Sequence, residues 1–84
     1  MDLNVKLYAG LEAYLPADAV DNSIQLTIEK STTVYDILDR CQIPRSEAHL
    51  ILLNGIFVVP GDRDKAGILR DEDTLALWPK VAGG

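Results

Sequence analysis

The residues best suited to do chemistry here are the last six, Pro79-Lys80-Val81-Ala82-Gly83-Gly84. The reacting group would be the α-carboxylate of Gly84. A carboxylate is a poor electrophile until one of its oxygens becomes part of a leaving group, for instance by adenylation. Once activated it can accept a sulfur nucleophile and become a thiocarboxylate. Gly83 and Gly84 lack a Cβ, so they can pass a channel too narrow for any side chain. Pro79 cannot donate to a strand ladder, so pairing should stop there and leave a free arm. Five residues beyond it, fully extended, reach roughly 17 Å, enough to enter another protein's cavity. Residues 1–79 are therefore expected to form the folded body and residues 80–84 a flexible tail.

The rest of the chain offers little other chemistry. Its single Cys41 cannot form an internal disulfide, and with one His49 no zinc site can be assembled, so no metal is expected. Cys41 holds the fourth place of a helical apolar stripe and reads as a buried structural thiol. His49 reads as an ordinary surface or edge residue. Asp62, Asp64 and Asp71 to Asp73 have no supporting histidines and read as turn and solubility residues. No pairing of nucleophile with base is discernible, so no independent active site is expected. The net charge of -5, with eight scattered Lys and Arg, disfavours nucleic acid and favours partners with basic surfaces. The longest apolar runs, Leu50 to Leu53 and Ile56 to Val59, exclude a membrane-spanning helix. The start Met1-Asp2-Leu3-Asn4 shows no secretory signal, which points to the cytoplasm. The free protein is expected to be monomeric.

At 84 residues, 48% apolar and 25% charged, the chain is one globular domain with a small core. Leu3, Val5 and Leu7 alternate with Asn4, Lys6 and Tyr8, the period of a strand with one buried face. Gly10 breaks it. A long connection from Leu11 to Asn22 follows, in which Leu11, Tyr14 and Leu15 allow a short helical turn. Ile24, Leu26 and Ile28 predict a second strand, paired with the first in a hairpin with a wide loop. The period then changes. Val34, Ile37, Leu38 and Cys41 make one helical stripe, Thr33 and Asp36 have capping-box spacing, and Pro44 forbids continuation. Asn54-Gly55 between Leu50 to Leu53 and Ile56 to Val59 predicts strands three and four joined by a type I′ turn. Asp62 to Lys65 reads as a solvated polar loop, Ile68 and Leu69 as residues tucked under the sheet, and Thr74 to Trp78 as strand five.

One helix covers one face of such a sheet, so the other must meet water or a partner. Both parities are apolar in strands three and four. If Leu75 and Leu77 face the helix, Trp78 lies on the open face at the base of the arm. An apolar patch beside a free tail suggests a docking surface. Whether Trp78 anchors a partner or caps the core stays open at this point.

This organisation resembles the ubiquitin-like sulfur carriers of the MoaD/ThiS family, over essentially the whole chain. The residues that carry the likeness are Val5-Lys6-Leu7-Tyr8-Ala9 with Leu11, Leu53-Asn54-Gly55, Asp71-Glu72-Asp73, and Pro79 with Val81-Ala82-Gly83-Gly84. The length and the wide first loop look like the MoaD branch, the small subunit of molybdopterin synthase. That branch commonly carries a second proline where this chain has Lys80. The resemblance implies an α+β fold, a ubiquitin-like β-grasp with a mixed four- to five-stranded sheet and one main helix on one face. It also implies that an ATP-using adenylyltransferase related to ubiquitin activators adenylates Gly84. A sulfur donor would then make the thiocarboxylate, and a large synthase subunit would receive the sulfur for a pterin precursor. Gly83 would give clearance, Val81 and Ala82 would thread the channel, Lys80 would pair with an acidic channel mouth, Trp78 and Phe57 would anchor the partner, and Pro79 would belong to the same partner-binding set. The carrier itself would bind no cofactor. A thiamine-pathway carrier, a protein modifier conjugated through Gly84, and a non-catalytic β-grasp interaction module are the alternatives.

Overall fold

Strand β1, Asp2–Leu7, carries the alternation through: Leu3, Val5 and Leu7 are wholly buried and Lys6 is exposed. The computed structural model describes residues 1–80; the tail expected at 80–84 therefore lies outside the described residues except for Lys80. Strand β2, Ser23–Thr27, pairs antiparallel with β1, with Leu3 opposite Leu26 and Val5 opposite Ile24. The wide loop between them holds a 3-10 turn, Leu11–Tyr14, that buries Leu11.

Helix α1, Val34–Arg40, starts on the capping box that Thr33 and Asp36 predict. The Asp36 N–H donates to Thr33 Oγ1 at 3.0 Å, and the Thr33 N–H donates to Asp36 Oδ2 at 2.9 Å. Two of the helix's orphan donors are thereby satisfied. Val34, Ile37 and Leu38 are buried against the sheet, as the stripe requires. Cys41 departs from expectation. The helix ends at Arg40, Cys41 is its C-cap, and the thiol is only half-buried.

Strand β3, Leu50–Leu53, turns through Asn54 and Gly55 into β4, Ile56–Phe57. Their φ angles of 50° and 85° fit the type I′ turn that closes a right-twisted hairpin. Strand four is shorter than the apolar run Ile56 to Val59 suggested. Val58 still donates to the Ile51 carbonyl at 2.9 Å, but Val59 leads into a 3-10 turn at Pro60–Asp62. Pro60 has no N–H for the ladder. Strand β5, Asp73–Trp78, is central. The sheet order is β2-β1-β5-β3-β4, with β1 and β5 parallel and the other neighbours antiparallel. Leu75 and Leu77 are wholly buried on the helix side, and Leu69 is buried while Ile68 is half-buried.

The polar segment Asp62 to Lys65 is not solvated throughout, because Arg63 is buried. Its Nε donates to the Val58 carbonyl at 3.1 Å and an Nη to the His49 carbonyl at 3.3 Å. Its own carbonyl accepts from the Tyr35 N–H at 2.9 Å. The guanidinium satisfies backbone acceptors where the ladder between β3 and β4 runs out, which offsets the cost of burying a charge.

Candidate functional site

Register decides what the open face presents. Leu50 lies opposite Trp78, Leu52 opposite both Ala76 and Phe57. Their neighbours Ile51, Leu75 and Leu77 point to the helix, so alternation sends Leu50, Leu52, Phe57, Ala76 and Trp78 to the other side. Phe57 is 48% exposed there and Leu50 36%. The β1 and β2 half of the same face is polar, with Asn4, Lys6, Ser23 and Gln25. Apolar surface is thus gathered on the β5, β3 and β4 side.

Trp78 stacks on Tyr8, with ring centroids 4.6 Å apart and planes 9° from parallel. The Tyr8 N–H donates to the Leu77 carbonyl at 3.1 Å, which holds the two rings in step. Trp78 is half-buried and belongs to the open face, not to the core beneath the helix. Pro79 follows it, half-buried, and Lys80 is exposed. Both border a hollow of about 500 Å³ whose other walls include Gly10, Leu11, Tyr14 and Glu47. The Tyr14 hydroxyl donates to Glu47 Oε2 at 2.5 Å, which pins the wide loop to the 3-10 turn Arg45–Glu47. That hydrogen bond, with burial and the carboxylate's charge acting in the same direction, raises the phenol's pKa.

Of the residues singled out from sequence, Phe57, Trp78, Pro79 and Lys80 are described. Trp78, Pro79 and Lys80 are consecutive at the end of β5, whereas Phe57 sits two strands across. Val81, Ala82, Gly83 and Gly84 lie outside the described residues. Tyr8, Leu50 and Leu52 were not singled out, although each has the open-face parity. The missing information was the pairing of β1 with β5, which brings Tyr8 beside Trp78. Cys41 has its pKa raised by burial, partly countered by Arg40, so the thiol stays protonated and a poor nucleophile at neutral pH. His49 is exposed. Among the described residues, no group of three or more His, Cys, Asp or Glu side chains is arranged to hold a metal, and no helix is long and apolar enough to cross a membrane.

A five-stranded mixed sheet with, among the described residues, one α-helix on one face, a bare opposite face and a central strand that ends at Trp78 defines a ubiquitin-like β-grasp. The profile of the Mut7-C ubiquitin family matches residues 1–82, and the chain belongs to that family. No curated protein matches the sequence. Among solved structures, the chain is similar to the HVO 2177 protein of Haloferax volcanii, with a TM-score of 0.75 and 26% identity over 100% of this chain and 87% of that one. SAMP1 of the same organism superposes with a TM-score of 0.68 at 23% identity, covering 100% of both chains. A complex of subunits 1 and 2 of the molybdopterin-converting factor from Helicobacter pylori contains a chain that superposes with a TM-score of 0.62 at 16% identity, again over 100% of both. The last two likenesses establish the shared fold.

Proposed function

We propose that this chain is a sulfur carrier whose Gly84 carboxylate is adenylated, converted to a thiocarboxylate and used to deliver sulfur for molybdopterin synthesis. The observation that carries the reading is the exit of the chain. Strand β5 is anchored by Leu75 and Leu77 in the core and ends at Trp78 beside the apolar open face, so whatever follows Pro79 starts from a rigid, dockable base. In the first step the carboxylate would attack the α-phosphorus of ATP on a partner adenylyltransferase and displace pyrophosphate. A sulfide-equivalent nucleophile would then attack the acyl carbon and displace AMP. The likeness to a subunit of the molybdopterin-converting factor, whose solved form is a complex with a second subunit, supports a large synthase subunit as recipient. Apart from the Gly84 carboxylate itself, no acid, base or nucleophile of this chain is required.

The likeness to the small archaeal modifier protein 1 favours a second reading, in which an amine of a target protein attacks the same activated glycine. Mass spectrometry of the protein recovered from its own cells separates the two. The carrier gains the mass of one sulfur in exchange for one oxygen, and the gain disappears when Gly84 is deleted. A ladder of heavier conjugates would establish the modifier, and an unmodified chain whose activity survives the deletion would overturn both readings.

A further inference from the structure

The turn between β3 and β4 is fastened to a third strand. Asn54 makes three hydrogen bonds to the start of β5: its N–H donates to the Thr74 carbonyl, its side-chain nitrogen donates to Asp73 Oδ1, and its side-chain oxygen accepts from the Thr74 N–H, each at 2.8 Å. Asp73 is itself held in place. Its Oδ2 accepts from the Arg70 N–H at 2.8 Å, and its own N–H donates to the Arg70 carbonyl at 3.2 Å. The side chain of a turn residue thereby clamps positions 19 and 20 residues further along the chain.

Asn54-Gly55 also carries a reaction of its own. A peptide nitrogen can attack the side-chain amide carbon of the asparagine before it, and glycine puts no side chain in the way. The Gly55 nitrogen gives up its proton and bonds to Asn54 Cγ, the Cγ–Nδ2 bond breaks, and the amide group takes up the proton and leaves as ammonia. Water then opens the cyclic imide at either carbonyl and leaves aspartate or isoaspartate. One water enters for each ammonia lost. Both residues are exposed, so solvent reaches them, whereas Asn4 and Asn22 precede Val5 and Ser23, whose side chains crowd the attacking nitrogen. The fold restrains the step. In the order β5-β3-β4, β5 lies on one side of β3 and β4 on the other. The Asn54 side chain is tied to β5 while Gly55 leads into β4, so the amide must leave Asp73 and Thr74 before its carbon can meet the Gly55 nitrogen.

We infer that Asn54 is a deamidation site held inert by its clamp to β5, and that conversion, once the hairpin tip lets go, is a one-way release. Aspartate at this position still accepts from the Thr74 N–H but has no hydrogen for Asp73. Two carboxylates then face each other where a donor met an acceptor. Isoaspartate goes further, because it lengthens the backbone of a two-residue turn whose length sets the hairpin register. A closed tip is protected, and an opened tip that reacts cannot close again. The end that loosens belongs to β5, which carries Leu75 and Leu77 into the core and Trp78 onto the open face. The site makes no use of the tail, so it stands or falls separately from sulfur transfer.

The test is peptide mass spectrometry of the full chain aged in mildly alkaline buffer, following the replacement of NH by O at Asn54 with Asn22 as internal reference. Conversion of Asn54 in the folded chain should be slower by about tenfold or more than in the same chain unfolded in guanidinium chloride. Asp73→Ala should raise the folded-state rate at Asn54 by about tenfold and leave Asn22 unchanged. Amide exchange of the folded Asn54→Asp protein should be faster at Thr74 than in the parent. Equal rates in the folded and unfolded chain overturn the proposal, and that comparison needs only the parent, so it decides even if Asp73→Ala does not fold. An Asp73→Ala protein that converts no faster than the parent, a rise that Asn22 shares in full, or Thr74 exchange unmoved by Asn54→Asp overturns it as well.

Discussion

The two faces of the sheet are built from the same strands and do opposite work. Leu77 and Trp78 are adjacent on β5, yet Leu77 has no exposed surface and Trp78 lies half-open against Tyr8. Ile51 and Leu52 divide in the same way on β3, buried and half-buried. On the helix side, apolar surface is spent on closing the core with Val34, Ile37 and Leu38. On the other side it remains available. An 84-residue chain buries only a modest share of its surface, so leaving a whole sheet face uncovered costs stability that the helix face must supply alone.

The sharpest way to break this contrast is to truncate neighbours of opposite parity. Leu77→Ala should lower unfolding free energy by about 2–5 kcal/mol, read as a fall in urea midpoint at constant slope. Trp78→Ala should cost less, because its stack on Tyr8 contributes about 0.5–1.5 kcal/mol beyond area. Equal losses at the two positions would mean that the open face is part of the core. Arg63 comes next. Arg63→Met leaves the Val58 and His49 carbonyls without their donor and should cost about 1–3 kcal/mol, with amide exchange accelerating at Val58 first. An unchanged midpoint would mean that water replaces the guanidinium there. Thr33→Ala removes one half of the capping box and should cost about 1 kcal/mol, a loss confined to the helix face and measurable by the same unfolding curve.

Local signals were legible in the sequence and long-range ones were not. The β1 alternation, the helical stripe, the capping box and the Asn54-Gly55 turn each depend on residues within one turn or one pleat. They appear in the structure much as the pattern states. The placement of β5 between β1 and β3 joins residues about seventy positions apart, such as Tyr8 and Trp78, and no local spacing encodes it. Arg63 looked solvated because its neighbours Asp62, Asp64 and Lys65 are polar; its acceptors, His49 and Val58, come from elsewhere in the chain. The apolar run Ile56 to Val59 overstated β4 because hydrophobicity does not register that Pro60 withdraws the next donor. At the site, the parity of Trp78 followed from Leu75 and Leu77, whereas Tyr8, Leu50 and Leu52 needed the register. The chemistry assigned to Gly83 and Gly84 rests on residue type, since both lie outside the described residues.

The smallest stability effect and the most telling separation belong to Phe57. Its side chain meets Leu52 across the hairpin and is otherwise half in solvent, with the Arg63 guanidinium 5.8 Å from the ring centre. Cross-strand pairs of this kind contribute roughly 0.2–1 kcal/mol, so Phe57→Ala should leave the unfolding midpoint nearly unchanged. An aromatic anchor at an interface carries about 2 kcal/mol or more of binding, so the same variant should weaken capture of a partner by more than tenfold if the open face is where partners sit. Stability and binding then respond to different residues of the same sheet, Leu77 for one and Phe57 for the other. A Phe57→Ala protein that unfolds as easily as Leu77→Ala, or one that binds every partner as the parent does, would erase the distinction between a face that holds the fold and a face that offers it.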